Sequence, residues 1–139
     1  MTTKTIKLLV LITLLVHGIG HIQGVVAGLG VKFTSNTGNI SWLLKGMGEN
    51  TNRGICIILY LGAAITGILA GLAFKDILVP VSSWQTFALL AAFFSTACLV
   101  LFPNALAMFF NKIGAIAVNL IIYYSILFNG HWPSSIFED

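Results

Sequence analysis

Few side chains in this chain of 139 residues can move a proton, hold a metal or act as a nucleophile: three histidines, two cysteines and four carboxylates. Two of the histidines, His17 and His21, lie one helical turn apart in the otherwise apolar stretch LLVHGIGHIQGVVAGLG, residues 14–30. Such an i, i+4 pair can share a metal ion, handle a proton or anchor hydrogen bonds, and each use needs partners from other elements. Metal coordination would need further ligands, yet Glu49, Asp76, Glu138 and Asp139 all fall in loops or the tail. Cys56 and Cys98 read as buried free thiols acting as small hydrophobes, and the sequence leaves open whether they pair. Haem is disfavoured, because two imidazoles on the same face of one helix cannot flank one iron. His131 lies roughly 20 Å from His21 along the membrane normal, too far to help. No cofactor is therefore expected. Neither a Ser-His-Asp nor a Cys-His arrangement nor a CxxC occurs, and the glycines of GIGHIQG follow no strand, which excludes a nucleotide fingerprint. Nothing nominates an enzyme.

The elements that must position these groups are set by composition. The chain is 58% hydrophobic and only 8% charged, with a mean hydropathy of +0.97, far from what a water-facing surface requires. Apolar runs predict four membrane spans, at about residues 8–31, 54–74, 84–102 and 113–128. The last is short, and an earlier start near Ala105 would leave Lys112 snorkelling to the interface. The expected fold is all-α, a four-helix transmembrane bundle forming one integral membrane domain over residues 1–139, multi-pass in the cell membrane. Trp42, Trp84 and Trp132 each fall at a predicted span end, where amphipathic rings prefer to sit. The basic start and apolar run of MTTKTIKLLVLITLLV resemble a leader, but the apolar character continues too far for one, so a first span is expected instead.

Between the spans, residues 32–53 form the longest loop, in which Ser41 is expected to cap a short surface helix from Trp42 to Lys45. Residues 75–83 join the second and third spans, and Pro103-Asn104 ends the third. Four spans place both termini on one side, with Lys4, Lys7 and Lys75, opposite Lys32, Lys45, Arg53 and Lys112. These flanks are too balanced to orient the chain. The net charge of +3 is too weak to argue for nucleic acid and suits contact with anionic lipid.

Helical geometry returns the histidines to the bundle. His17, Gly20, His21, Gly24 and Gly28 share one face, and Ala63, Gly67 and Gly71, beside Thr66, repeat the small-xxx-small spacing on the second span. Both stripes predict close packing of the first two helices. Counting about 1.5 Å per residue from the end bearing loop 32–53, His21 lies about 12–15 Å deep and His17 about 6 Å deeper. Asn119, Ser95 and Thr96 reach about 10 Å and Thr66 about 18 Å. Unpaired polar groups are costly in hydrocarbon, so His17 and His21 are expected to face inward and bond Thr66, Asn119 or Ser95. Were they instead to surround a cavity, a ligand would be indicated.

LLVHGIGHIQGVV and VLFPNALAMFFNKIGAIAVNLIIYY together resemble a family of small, uncharacterised four-span integral membrane proteins of bacteria and archaea. The matching positions are His17, Gly18, His21, Gly24, Trp42, Pro103, Ala105 and Asn119. More distantly, the first helix resembles the DoxX-like membrane proteins and departs from them in its second histidine. The resemblance implies the architecture and a prokaryotic membrane but no agreed activity. The expected function is a non-enzymatic membrane protein, an accessory subunit or small-ligand-binding module, in contact with lipid and self-associating or serving a larger complex. Two other classes stay open: a metal-dependent or redox membrane protein using His17 and His21, and a small oligomeric transporter. The latter gains no support from the spans, which lack a carboxylate for proton coupling.

Overall fold

The structure, a computed structural model, describes residues 2–128. Helix α1 (Thr3–Gly20) is interrupted at His21 and continues as α2 (Ile22–Gly28). There follow α3 (Glu49–Phe74), α4 (Trp84–Leu101) and α5 (Phe109–Tyr123), the last running into a wider π-type turn, Tyr124–Phe128. There is no strand among the described residues. The fold is an all-α four-helix bundle, each helical unit long and apolar enough to cross a membrane. His131 and Trp132 lie outside the described residues.

Helix ends depart from the expected limits where polar groups extend the helices. The first unit starts at Thr3 rather than near Leu8, with the Thr2 hydroxyl accepting from the Thr5 N–H at 3.3 Å. Lys4 and Lys7 fall in these opening turns, where a long aliphatic stem makes a lysine tolerable at a helix end. It stops at Gly28 rather than Val31, because Arg53 donates to the carbonyls of Gly28 (3.3 Å) and Leu29 (3.0 Å) and Gly30 turns the chain at φ 97°. A cation on the final carbonyls also opposes the helix dipole. Helix α3 begins at Glu49, five residues before the expected Gly54, and the acidic first turn suits its N-terminus. Helix α5 starts at Phe109, between the two starts considered. Phe102 and Pro103 follow α4 directly, as the proline requires.

Loop 32–48 is organised around side chains rather than the expected surface helix from Trp42 to Lys45. The buried Ser41 hydroxyl does accept from the N–H groups of Leu43 and Leu44 (3.2 and 3.3 Å), but the helical turn falls at Lys45–Met47. Asn52 explains the shift. Its Oδ1 accepts from the Ser41 N–H at 2.9 Å, and its Nδ2 donates to the Leu44 and Gly48 carbonyls, both at 2.8 Å. Trp42 stays largely exposed and donates its indole N–H to the Val100 carbonyl. Trp84 differs from the expected interfacial ring: it is buried edge-on against Phe74, centroids 5.3 Å apart, in the core at the opposite end.

Antiparallel α1–α2 and α3 pack in continuous register. A Cβ on Gly18 would meet Ile68 N at 2.7 Å and Gly67 C at 2.9 Å; one on Gly24 would strike the Tyr60 ring, one on Gly28 Ile57, and one on Gly71 Leu15. Helices α3 and α4 approach through fully buried alanines, including Ala63, Ala70, Ala88 and Ala92. Without a hydrophobic force between helices in lipid, such close backbone contact is what holds them. One apolar cluster contains Leu14, Phe74, Trp84 and Ile122; another contains Cys56, Tyr60, Cys98 and Phe102. Outward faces carry Ile58, Ile65, Phe93, Leu120 and Ile121, as lipid exposure demands and water would penalise. The seam between α1 and α5 is the thinnest contact in the ring of helices.

Candidate functional site

At this seam α1 and α5 part to leave a cavity of about 390 Å³. His17 and His21 form part of its wall, with Ile12, Val16 and Gly20 on their side and Phe110, Gly114 and Val118 opposite. No lining residue carries a formal charge. Two glycines explain why there is room: a Cβ at either Gly20 or Gly114 would meet nothing within 4 Å. Gly20 therefore does not belong to the packing stripe expected of it. Two residues apart on α1, Gly18 and Gly20 point about 200° apart, so Gly18 meets α3 while Gly20 turns to the seam, and the break at His21 lies between Gly20 and the α3-facing Gly24. Asn111 bridges the cavity's mouth by donating to Gln23 Oε1 at 3.0 Å, tying α5 to α2.

The two imidazoles touch in an edge-to-face arrangement, centroids 4.7 Å apart at 86°, and His21 lies 5.8 Å from the Tyr60 ring. His17 is 7% and His21 2% exposed. The inward placement expected of them is observed, but the expected hydrogen bonds are not. Among the described residues, His17 Nε2 and both nitrogens of His21 are buried without a hydrogen-bond partner. The proposed partners are engaged elsewhere. Thr66 donates to the Gly62 carbonyl of its own helix at 2.6 Å, the back-bonding that threonine favours in apolar helices. Asn119 donates to Ser95 Oγ (2.9 Å) and Thr96 Oγ1 (3.2 Å), which clamps α5 to α4. Thr96 also meets the Tyr123 hydroxyl at 3.3 Å. The polar residues thus divide into an α4–α5 clamp, in which Asn119 Oδ1 also lacks a partner among the described residues, and a separate histidine pair with three such nitrogens.

Leaving a buried donor or acceptor without a partner costs about 1–3 kcal/mol, so three such nitrogens are a feature that requires explanation. Each neutral imidazole offers one N–H donor and one nitrogen acceptor. Turned toward the cavity whose wall they form, the two rings can hold a ligand group that both accepts and donates. They can also supply two metal ligands, though no group of three or more His, Cys, Asp or Glu occurs among the described residues. Cys56 and Cys98 are buried free thiols; Cys56 points its thiol at the Gly24 carbonyl at 3.9 Å, and neither lines the cavity.

Several contributing residues were not singled out from sequence. Gly114, Gln23 and Asn111 are ordinary in an apolar helix, Gly18 entered only through the resemblance and not as a packing residue, and only the partner helix shows which glycine is filled and which is open. Tyr60, whose hydroxyl donates to the Phe102 carbonyl at 3.0 Å, is the ring on which Gly24 rests. Fold and site together define an all-α four-helix bundle of membrane-crossing dimensions with a histidine-walled lateral cavity. No protein-family model matches the chain, and comparison with curated proteins and with solved structures finds no match.

Proposed function

We propose that the chain is a multi-pass protein of the cell membrane that binds a small lipid-soluble ligand bearing an uncharged hydrogen-bonding group. The observation that supports this most is the pairing of an open cavity with three buried imidazole nitrogens in its wall that find no hydrogen-bond partner among the described residues. A purely structural role would have spent those nitrogens on Thr66, Ser95 or Asn119. A ligand group that donates and accepts would offset their desolvation, and the uncharged walls exclude a charged headgroup at this depth. The resemblance to small four-span proteins of bacteria and archaea, with their paired histidines, belongs to the same proposal.

The test is to purify the protein in lipid nanodiscs and identify co-purifying small molecules by mass spectrometry, comparing wild type with Gly114→Phe. A Cβ at this position meets nothing within 4 Å and the ring would enter the cavity, so the fold is expected to persist while the co-purifying compound is lost. An unchanged small-molecule profile in well-folded Gly114→Phe would sink the proposal. The contact between His17 and His21 favours one second function, a metal or redox site completed by exogenous ligands. Stoichiometric metal in the same preparation, abolished by His17→Leu, would replace the first proposal with this one.

A further inference from the structure

A second cavity, about 170 Å³, lies on the same α1–α5 seam toward the end where Thr3 and Phe128 sit. Leu9, Val10 and Leu14 wall it on one side and Ile122, Ser125 and Ile126 on the other. Thr13 and Val118 line both cavities. We propose that the two are halves of one groove and that it holds a single-chain lipid, with a hydroxyl-bearing head against His17 and His21 and the chain running past Thr13 and Val118 toward Ile126. The proposal rests on the ligand-binding function above and specifies its occupant and orientation.

Dimensions, polarity and wall chemistry support this occupant. From Leu9 to His21 the groove follows α1 for about 18 Å, the length of an acyl chain rather than of a compact solute. Among the described residues its walls come mainly from α1 and α5, with Trp84 of α4 and Leu106 adding to them, a narrow seam that suits one chain and not the paired chains of a bilayer phospholipid. Polarity falls along it: the histidines and Asn111 occupy one end, whereas aliphatic side chains dominate the other. Among the described residues no charged side chain lines either half, which favours a neutral head. A hydroxyl, with one donor and two acceptor sites, matches an imidazole N–H and an imidazole lone pair at once. The walls are irregular at both ends, at the His21 break in the first unit and in the π-type turn that supplies Ser125 and Ile126. Departures of this kind inside helices often mark functional sites.

The experiment uses the full chain in nanodiscs and two photoactivatable alcohols, hexanol and hexadecanol, the latter with its diazirine at the chain end. Hexadecanol is expected to label the segments 9–14 or 121–126, and unlabelled hexadecanol is expected to compete. Val118→Trp, which plugs the junction, should weaken hexadecanol binding about tenfold and leave hexanol in the histidine half. Ser125→Trp, farther down the groove, serves the same purpose if Val118→Trp does not fold, and should move the hexadecanol label toward Gly114. If hexanol binds and hexadecanol labels no differently from it, two separate cavities exist; the single-chain proposal then fails while ligand binding stands. Should neither alcohol label the seam, both proposals fall. Labelled groove residues recovered cross-linked to a second copy of the chain would show that the protein itself covers the seam, which also overturns the lipid.

Discussion

At the scale of single residues, neighbouring glycines of α1 have opposite roles. A methyl group on Gly18 would press into backbone atoms of Gly67 and Ile68 that cannot move aside, whereas one on Gly20 enters open space. Gly18→Ala is therefore expected to lower stability by about 1–3 kcal/mol, the usual cost of overpacking, and Gly20→Ala to have almost no effect. Thermal unfolding in detergent, followed by circular dichroism, checks the contrast; equal effects would mean that the register of α1 against α3 is wrong. The histidines give a second contrast. Because the buried nitrogens of His21 have no partner among the described residues, His21→Leu should leave the melting temperature unchanged or raise it. A clear fall would restore a structural role. Asn119→Ala, by comparison, breaks the bonds to Ser95 and Thr96 and should cost about 0.6 kcal/mol for each, the typical interhelical value in membranes.

At the scale of elements, loop 32–48 is held by residues that belong to α3. Asn52 makes three hydrogen bonds into the loop while itself 1% exposed. Its replacement by alanine is expected to cost about 2–3 kcal/mol, near the summed worth of such bonds. Hydrogen exchange offers a sharper test than global stability. Amides of residues 41–48 should lose protection in Asn52→Ala while those of α4 keep theirs, and uniform loss across the bundle would show that the loop is not a separable unit. Arg53 acts on another element, donating to the terminal carbonyls of α2 and so fixing where the first helical unit stops.

At the scale of the whole molecule, the ring of helices is tight through α1, α3 and α4, clamped by side chains from α4 to α5, and open from α5 back to α1. This asymmetry puts the cavity on the lipid-facing side rather than along the bundle axis. The bundle also fixes relative topology, since Leu9 and Val10 share a cavity with Ser125 and Ile126. Reporters joined before Thr3 and after Phe128 are expected on the same side of the membrane, and one inserted at Gly46 on the other. Opposite locations for the first two in one molecule would mean that one of the four helices does not cross.

The sequence by itself determined the class of the molecule, because apolar run length and scarcity of charge leave no other stable arrangement for such a chain. Four helical segments, the break after Leu101, the buried histidine pair and the small residues of α3 were all legible for that reason. Helix limits at Thr3, Gly28 and Glu49 were not, since they depend on capping by Thr2 and Arg53 and on charged stems that hydropathy counts only as penalties. Tertiary structure decided the site. Periodicity places Gly20 on the same stripe as Gly24 and Gly28, but the break at His21 lies between Gly20 and Gly24, and the positions of neighbouring helices leave Gly20 at the seam. Composition likewise marks Thr66, Ser95 and Asn119 as natural partners for imidazole, yet Thr66 bonds its own helix and the Asn119 amide N–H groups go to Ser95 and Thr96, leaving Asn119 Oδ1 without a partner among the described residues. Whether a buried polar atom finds a partner depends on distances of a few tenths of an ångström between separate helices, and no one-dimensional pattern encodes them.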